Sequence, residues 1–275
     1  MNINKLRKIY PQINKDAKNI KWRRLTNAEL DMAMQQPQVV ANCYDEATRY
    51  ALLSATEGRE MLKNRFWIEK GELSRPAYKF KLNINGKDEV YRSTYNDYWG
   101  AYSGLTEEYY KHDWFSYARL SLGVNIAVDK MISKHPKMKP LLSKLFFLNH
   151  GCEYNRPSNA FRWFTGKEPI AIGETGLNLS LKPHKKEVSE LFDRLKQKEP
   201  DEYSFVAMTG PFSASIKKEG FAPNKHEISS WHCCSILYVR KNKEVGLRNP
   251  RTAEIIHVPF DEFIKKFKGV IGIEH

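Results

Sequence analysis

The chain has 275 residues and a mass of 32.1 kDa, enough for one large domain or two small ones. Hydrophobic residues make up 41% and charged residues 28%, proportions that argue against a mostly disordered, collagenous or membrane-spanning protein. No stretch reaches the ~18 uncharged apolar residues of a spanning helix, and no apolar segment follows the basic start. We therefore expect a cytoplasmic protein, or one delivered into another cell by a non-classical route.

The chain is strongly basic, with 45 Lys and Arg against 32 Asp and Glu, a net charge of +13 and a pI near 9.4. Such a balance favours nucleic acid, anionic membrane surfaces or acidic proteins as partners. The basic residues are scattered, however, and there is no RNA-recognition signature, zinc-finger spacing or basic zipper. No specific nucleic-acid partner is predicted.

The first part of the chain is mainly helical in pattern. Residues 26–35 predict a short helix capped by Thr26 or Asn27, and 36–40 are expected to be extended. Helical spacing then runs through the segment NCYDEATRYALLSATEGREMLKNRF (42–66). Residues 76–92 alternate as two strands around a turn at Asn85–Gly86.

The second part changes from helices to strands. Residues 114–135 predict a largely buried helix, 159–166 a short helix, and 185–202 a solvated helix with charges of both signs. The runs SFVAMTG, SSWHCCSILYV, EVGLRNP and EIIHVPF are short, rich in β-branched and aromatic residues, and separated by turns. A helix and a final strand are expected to close the chain.

These patterns predict an α+β protein with two lobes and a cleft between them. Residues 1–35 would form an N-terminal extension, 36–170 a helical subdomain, and 171–275 a β-rich subdomain of antiparallel strands. A single-chain monomer is expected.

Four cysteines, Cys43, Cys152, Cys233 and Cys234, occur in a chain too long to be a disulfide scaffold, and reduced thiols are expected. No CxxC pair is present, which argues against a structural zinc site. Cys233 and Cys234 lie in one predicted strand, so their side chains should face opposite sides.

Cys43 is placed at a helix start, because Asn42 is a natural N-cap and Asp45 lies where a capping-box acid belongs. The helix dipole favours a thiolate at that position. The carboxylates of Asp45 and Glu46 oppose a low thiol pKa, so a nearby imidazolium would be needed. The alternative is that Cys43 is only a small packing residue.

His232 opens the run WHCCSILYV, and Asn249 ends EVGLRN. A hairpin turning near Arg240–Lys241 would set His232 roughly opposite Asn249 on the neighbouring strand. An imidazole held by an amide is the base and orienting group that a cysteine nucleophile requires. The alternative is a structural histidine and an Asn-Pro turn.

Four segments, in this order, resemble the calpain catalytic core among the papain-like cysteine peptidases. They are QVVANCYDEA (38–47), GCEYNRPSNAFRWFTG (151–166), WHCCSILYV with VGLRNP, and VPFDEFIKKFKGVIGI. The resemblance extends from about residue 36 to 275. It implies a papain-like fold and endopeptidase activity on protein substrates.

Carried over, the resemblance implies a site residue set of Cys43, His232, Asn249 and Gln38. Cys43 would be the nucleophile, paired as a thiolate with protonated His232, and Asn249 would orient the imidazole. The Cys43 backbone N–H and the Gln38 side chain would bind the oxyanion. A thioester would form and be hydrolysed.

The sequence departs from the family pattern near each site residue. Pro37 stands where the family usually has the oxyanion Gln, so either Gln36 or Gln38 would serve. Trp231 replaces the usual Gly before the histidine, and Arg251 replaces the Trp that often follows Asn-Pro. Acidic loop clusters matching the calcium sites of calpains are not visible, so no cofactor is predicted, and calcium enters only through the resemblance.

Two other functions stay open. The same triad and thioester serve deamidases and acyltransferases on papain-like folds, which differ in the acyl pocket and the competing nucleophile. A non-catalytic module that binds nucleic acid or anionic lipid through its basic surface would also account for the charge of +13.

Overall fold

The computed structural model describes most of the chain. The described residues are 20–35, 43–70, 76–94, 97, 119–138, 156–173, 184–210, 228 and 232–275. Within these residues no helix is long and apolar enough to cross a membrane.

The described part of the chain has the mixed α+β composition that the sequence predicts. The helices are α1 (Asn27–Met34), α2 (Cys43–Ser54), α3 (Thr56–Lys63), α4 (Arg119–Lys134), α5 (Pro157–Thr165), α6 (Lys185–Leu195) and α7 (Phe260–Lys266). The strands are β1 (Trp22–Arg24), β2 (Phe66–Glu69), β3 (Tyr78–Ile84), β4 (Lys87–Ser93), β5 (Ile170–Ile172), β6 (Tyr203–Thr209), β7 (Cys233–Val239), β8 (Val245–Arg248), β9 (Ile255–Val258) and β10 (Phe267–Glu274).

An antiparallel sheet lies in the part of the chain predicted to be mainly helical. Its strand order is β1-β2-β3-β4. The hairpin β3–β4 turns at Asn85 and Gly86, whose φ angles of 51° and 82° suit a two-residue turn that follows the strand twist. The strands on 76–92 are confirmed, but the helical subdomain also contains this sheet.

A second antiparallel sheet, with the order β5-β10-β6-β7-β8-β9, joins the C-terminal strands. One of its faces packs on the helices and the first sheet, and the other packs on α6 and α7. The final strand β10 pairs with both β5 and β6, so after α7 the chain returns to an inner position of the sheet, next to the edge strand β5. This sheet carries the predicted histidine and asparagine.

The helical spacing over 42–66 contains two helices rather than one. Helix α2 ends at Ser54, α3 begins at Thr56, and Phe66 lies in strand β2. A Cβ atom on Gly58 would lie 2.4 Å from the carbonyl oxygen of Leu52, so α3 approaches α2 where only glycine fits. The break therefore depends on contacts that the periodicity does not reveal.

The described part of the predicted N-terminal extension belongs to the fold. Helix α1 is capped by Thr26, whose hydroxyl accepts from the Glu29 N–H while the Glu29 carboxylate accepts from the Thr26 N–H. Leu25 and Leu30 are buried in the same core as α2. The described residues of this predicted extension therefore contribute apolar side chains to the first core.

Helix α6 is also less solvated than its charges suggested. It turns Val188, Leu191, Phe192 and Leu195 into the second core, at the spacing of one helix face. Its other faces carry the mixed charges. The helix is amphipathic because it covers the face of the second sheet opposite to α2.

Candidate active site

Cys43 is the first residue of helix α2, as the sequence predicted. It is partly exposed, and it packs against the first hydrophobic core. The backbone N–H of a first helical residue has no acceptor within its own helix, so it points out of the positive end of the helix dipole. Asn42, the predicted N-cap, lies outside the described residues.

His232 immediately precedes β7 and is only 3% exposed. Its backbone is fixed by Thr209 at the end of β6. The Thr209 hydroxyl accepts from the His232 N–H at 2.9 Å, and the Thr209 N–H donates to the His232 carbonyl at 2.9 Å. This pairing fixes the imidazole where β7 begins, beside the N-terminus of α2.

The predicted juxtaposition of His232 and Asn249 is present. Strands β7 and β8 form a hairpin, and the His232 Nε2 atom lies 2.8 Å from the Asn249 Oδ1 atom. Both side chains are buried, and Asn249 is fully so. The turn between the strands lies at 240–244, where the midpoint of positions 232 and 249 had placed it.

The neighbouring backbone determines the proton position on His232. The Arg251 N–H donates to Asn249 Oδ1 at 3.0 Å, and an N–H can only meet an acceptor. The amide oxygen, rather than its nitrogen, therefore faces the imidazole. Because that oxygen only accepts, Nε2 of His232 carries a hydrogen, and Nδ1 is the ring nitrogen left for proton exchange.

The Cys43 thiol interacts with this histidine and with Cys233. A side-chain hydrogen bond with Cys233 holds the pKa of Cys43 well below its usual range, and the hydrogen bond and charge of His232 act in the same direction. Burial opposes the change without reversing it. A thiolate at neutral pH is the state that a nucleophilic cysteine needs.

The two adjacent cysteines on β7 face opposite sides, as the strand period predicts. Cys233 lies in the core that contains α2, whereas Cys234 lies in the core that contains α6 and α7. Burial, together with the charge of Cys43, raises the pKa of Cys234 far above that of a free thiol. The contact between Cys233 and Cys43 was not predicted, because it depends on which face of β7 packs on α2.

The carboxylates that seemed to oppose a thiolate are paired with a buried arginine. Arg49 Nη2 lies 2.7 Å from Glu46 Oε2, and Arg49 Nε lies 3.5 Å from Asp45 Oδ2. All three side chains are about 1% exposed. Burial would lower the pKa of Arg49, but the charges of Glu46 and Asp45 raise it. The single positive charge of Arg49 therefore offsets about half of the negative charge of these two carboxylates, one turn from Cys43.

A second buried arginine adjoins the asparagine. The Arg248 guanidinium lies 3.7 Å from the ring centroid of Tyr50 on α2, and it donates to the Met34 carbonyl at the end of α1. Arg248 is 5% exposed. It links β8 to both helices, and so it fixes the end of the strand that directly precedes Asn249. No sequence pattern singled it out.

The predicted oxyanion residue lies outside the described part of the chain. Gln36, Gln38, Pro37 and Trp231 all fall there, so Cys43, His232 and Asn249 are the predicted site residues that the structure brings together. Across the described ranges, no group of three or more His, Cys, Asp or Glu side chains is arranged to hold a metal ion.

A scan against models of protein families and a search of curated proteins both find no match for this chain.

Proposed function

We propose that the chain is a calpain-like cysteine endopeptidase with a papain-like arrangement of its two sheets and helices. The observation that carries the proposal is the contact series from Cys43 to His232 to Asn249, in which the imidazole is oriented by the amide at 2.8 Å. This is the series of nucleophile, acid–base group and orienting group that acyl transfer through a thiol needs.

The proposed reaction begins with attack of the Cys43 thiolate on a peptide carbonyl. The Nδ1 proton of His232 then passes to the leaving amine, which leaves a thioester on Cys43. In the second step His232 takes a proton from water, the resulting hydroxide attacks the thioester carbonyl, and the C–S bond breaks. The acid product leaves, and the Cys43 thiolate is restored beside protonated His232. The Cys43 backbone N–H, at the end of the helix dipole, and Gln38 would stabilise the oxyanion.

The site lies where helix α2 meets the second sheet. Cys43 begins the helix, and His232 and Asn249 directly flank strands β7 and β8 of that sheet. Junctions between packed elements are common places for binding sites. That the substrate is a protein segment follows from the resemblance to the endopeptidases.

The test is incubation of an unfolded protein substrate with the wild-type chain and with Cys43→Ala, followed by mass spectrometry of the products. New internal termini that require Cys43 would support an endopeptidase. A conversion of Gln to Glu, or an amine adduct, would instead support the deamidase or acyltransferase. An unchanged substrate would contradict all three proposed activities, endopeptidase, deamidase and acyltransferase.

One observation favours the non-catalytic alternative. On the outer face of the first sheet, Arg24, Trp67, Lys79 and Arg92 lie opposite one another on successive strands. In the described ranges none of the three cations forms an ion pair, and the Lys79 ammonium lies 4.6 Å from the Trp67 ring centroid. The non-catalytic alternative would be supported if the chain binds a polyanion in a salt-sensitive way, and if that binding is lost in Lys79→Glu but kept in Cys43→Ala.

A further inference from the structure

The structure places a second thiol against the nucleophile. The side chains of Cys43 and Cys233 form a hydrogen bond, and Cys233 is 2% exposed while Cys43 is partly exposed. In the proposed peptidase reaction Cys233 supports the Cys43 thiolate through this hydrogen bond, but it takes no part in making or breaking bonds. A second thiol in contact with the nucleophile can also react with it.

The packing of β7 on α2 places this pair independently of the thiols themselves. The Ser235 hydroxyl donates to the Ala47 carbonyl at 2.8 Å. Cys233 lies two residues before Ser235, about 6.6 Å back along β7, and on the same face of the strand. Cys43 lies four residues before Ala47, about 6 Å back along α2, and on the same side of the helix. Because the two lengths nearly agree, Cys233 lies level with Cys43. The Ser204 hydroxyl extends the series by donating to the Ala51 carbonyl at 2.9 Å, one further turn along α2.

We propose that Cys43 and Cys233 form a site of reversible modification by hydroperoxides, in which Cys233 is the resolving thiol. The site would protect or switch off the nucleophile through an internal disulfide. This proposal rests on the same activated Cys43 as the proposed function, but it does not require that the chain cleave peptides.

The modification proceeds in two balanced steps. The Cys43 thiolate attacks a peroxide oxygen and the O–O bond breaks, so sulfur is oxidised to a sulfenic acid while the peroxide is reduced and leaves as hydroxide. The Cys233 sulfur then attacks the sulfenic sulfur, the S–S bond forms, the S–O bond breaks, and water leaves with the Cys233 proton. A dithiol reductant reduces the Cys43–Cys233 disulfide and restores both thiols.

The neighbouring residues favour this order of events. Cys43 is the partly exposed member and has the lowered thiol pKa, so it meets the peroxide first. Cys233 is buried at the contact and reaches Cys43 without crossing solvent. Cys234 faces the other core and is excluded as the resolving thiol, which makes it the matched control.

The experiment treats the purified chain with hydrogen peroxide and maps its cysteines by mass spectrometry under non-reducing conditions. The proposal expects a Cys43–Cys233 linked peptide, with a loss of two hydrogen atoms, and nearly full recovery of Cys43 alkylation after dithiothreitol. Cys234→Ala should behave as the wild type. Cys233→Ala should form sulfinic acid at Cys43, which dithiothreitol does not reverse.

Sulfinic acid at Cys43 in the wild type as fast as in Cys233→Ala, or pairing of Cys43 with Cys152, would overturn the proposal. If Cys233→Ala does not fold, as judged by circular dichroism, the linked peptide in the wild type and in Cys234→Ala decides alone. Peptide cleavage is not part of this measurement. A chain that forms the disulfide but cleaves no protein therefore refutes the proposed function only, and a chain that cleaves but forms no disulfide refutes this proposal only.

Discussion

Ser235 donates its hydroxyl hydrogen to the carbonyl oxygen of Ala47 at 2.8 Å, between the strand that begins at Cys233 and the helix that begins at Cys43. Both residues are fully buried. The bond fixes the strand against the helix shortly after His232 and Cys233, and so it helps to hold the imidazole beside the thiol.

Ser235→Ala should therefore loosen the site as well as the fold. A buried hydrogen bond of this kind contributes about 1 kcal/mol, and urea unfolding should show a loss of that size. Cys43 alkylation should also slow. Ser189→Ala, which removes a surface hydroxyl bound to Lys243, should leave the alkylation rate unchanged. An equal effect of both substitutions would contradict the positioning role.

The thiolate at Cys43 predicts a particular dependence of alkylation on pH. Because its pKa lies well below the usual ~8.5, the reactive thiolate persists as the pH falls below that value. His232→Ala keeps the hydrogen bond with Cys233 but removes the hydrogen bond and charge of His232, which also lower the pKa of Cys43, so the decline of the labelling rate should move to higher pH. At pH 6, iodoacetamide should then label Cys43 about tenfold more slowly.

The control for this substitution is His257→Ala, which changes an exposed histidine of β9 that contacts Tyr238. Its labelling profile should match the wild type. If His232→Ala also matches the wild type, the imidazole does not activate the thiol, and the assignment of His232 fails.

Asn249 is expected to act through the orientation of His232. Asn249→Ala should lower turnover by at least about tenfold without abolishing it, because the imidazole remains but loses its fixed direction. Asn249→Asp keeps an acceptor at the same position and adds a negative charge beside Nε2. The imidazolium should then keep its proton to higher pH, and the alkaline limb of the pH–rate profile should shift upward.

These two variants separate orientation from simple packing. Recovery of turnover in Asn249→Asp relative to Asn249→Ala, together with the shifted alkaline limb, is the expected pattern. Equal losses in both variants with an unshifted limb would show that Asn249 contributes only to the folding of the strand end.

The buried charges of α2 predict a large stability effect. Arg49→Met leaves Asp45 and Glu46 buried without their cation, a change that costs about 3–5 kcal/mol in comparable pairs. Urea unfolding should show that loss. Lys63→Met, which breaks the more exposed pair with Glu60, should change the free energy of unfolding by at most about 0.5 kcal/mol. A loss below about 1 kcal/mol in Arg49→Met would contradict the account.

Features set by local sequence were predictable. The Thr26 cap follows from a hydroxyl three residues before Glu29, and the turn at Asn85–Gly86 follows from residues that tolerate positive φ. The pairing of His232 with Asn249 is also local, since a hairpin turning at the midpoint leaves little choice of register.

Features set by packing between distant segments were not predictable. The end of α2 depends on the close contact between Gly58 and the Leu52 carbonyl. The burial of residues 25–30 depends on a core whose other side chains come from later in the sequence. The contact of Cys43 with Cys233 depends on which face of β7 covers α2. Periodicity gives the two faces of a strand but does not say which neighbour each one meets.

Covalent labelling is the direct test of whether Cys43 is a nucleophile activated by His232. The purified chain would be treated with an epoxysuccinyl inhibitor of cysteine peptidases, and its modified peptides would be mapped beside those of Cys43→Ala and His232→Ala. We expect rapid labelling of Cys43 alone, lost in both variants. Slow labelling shared among the cysteines and unaffected by His232→Ala would contradict the activation of Cys43 by His232.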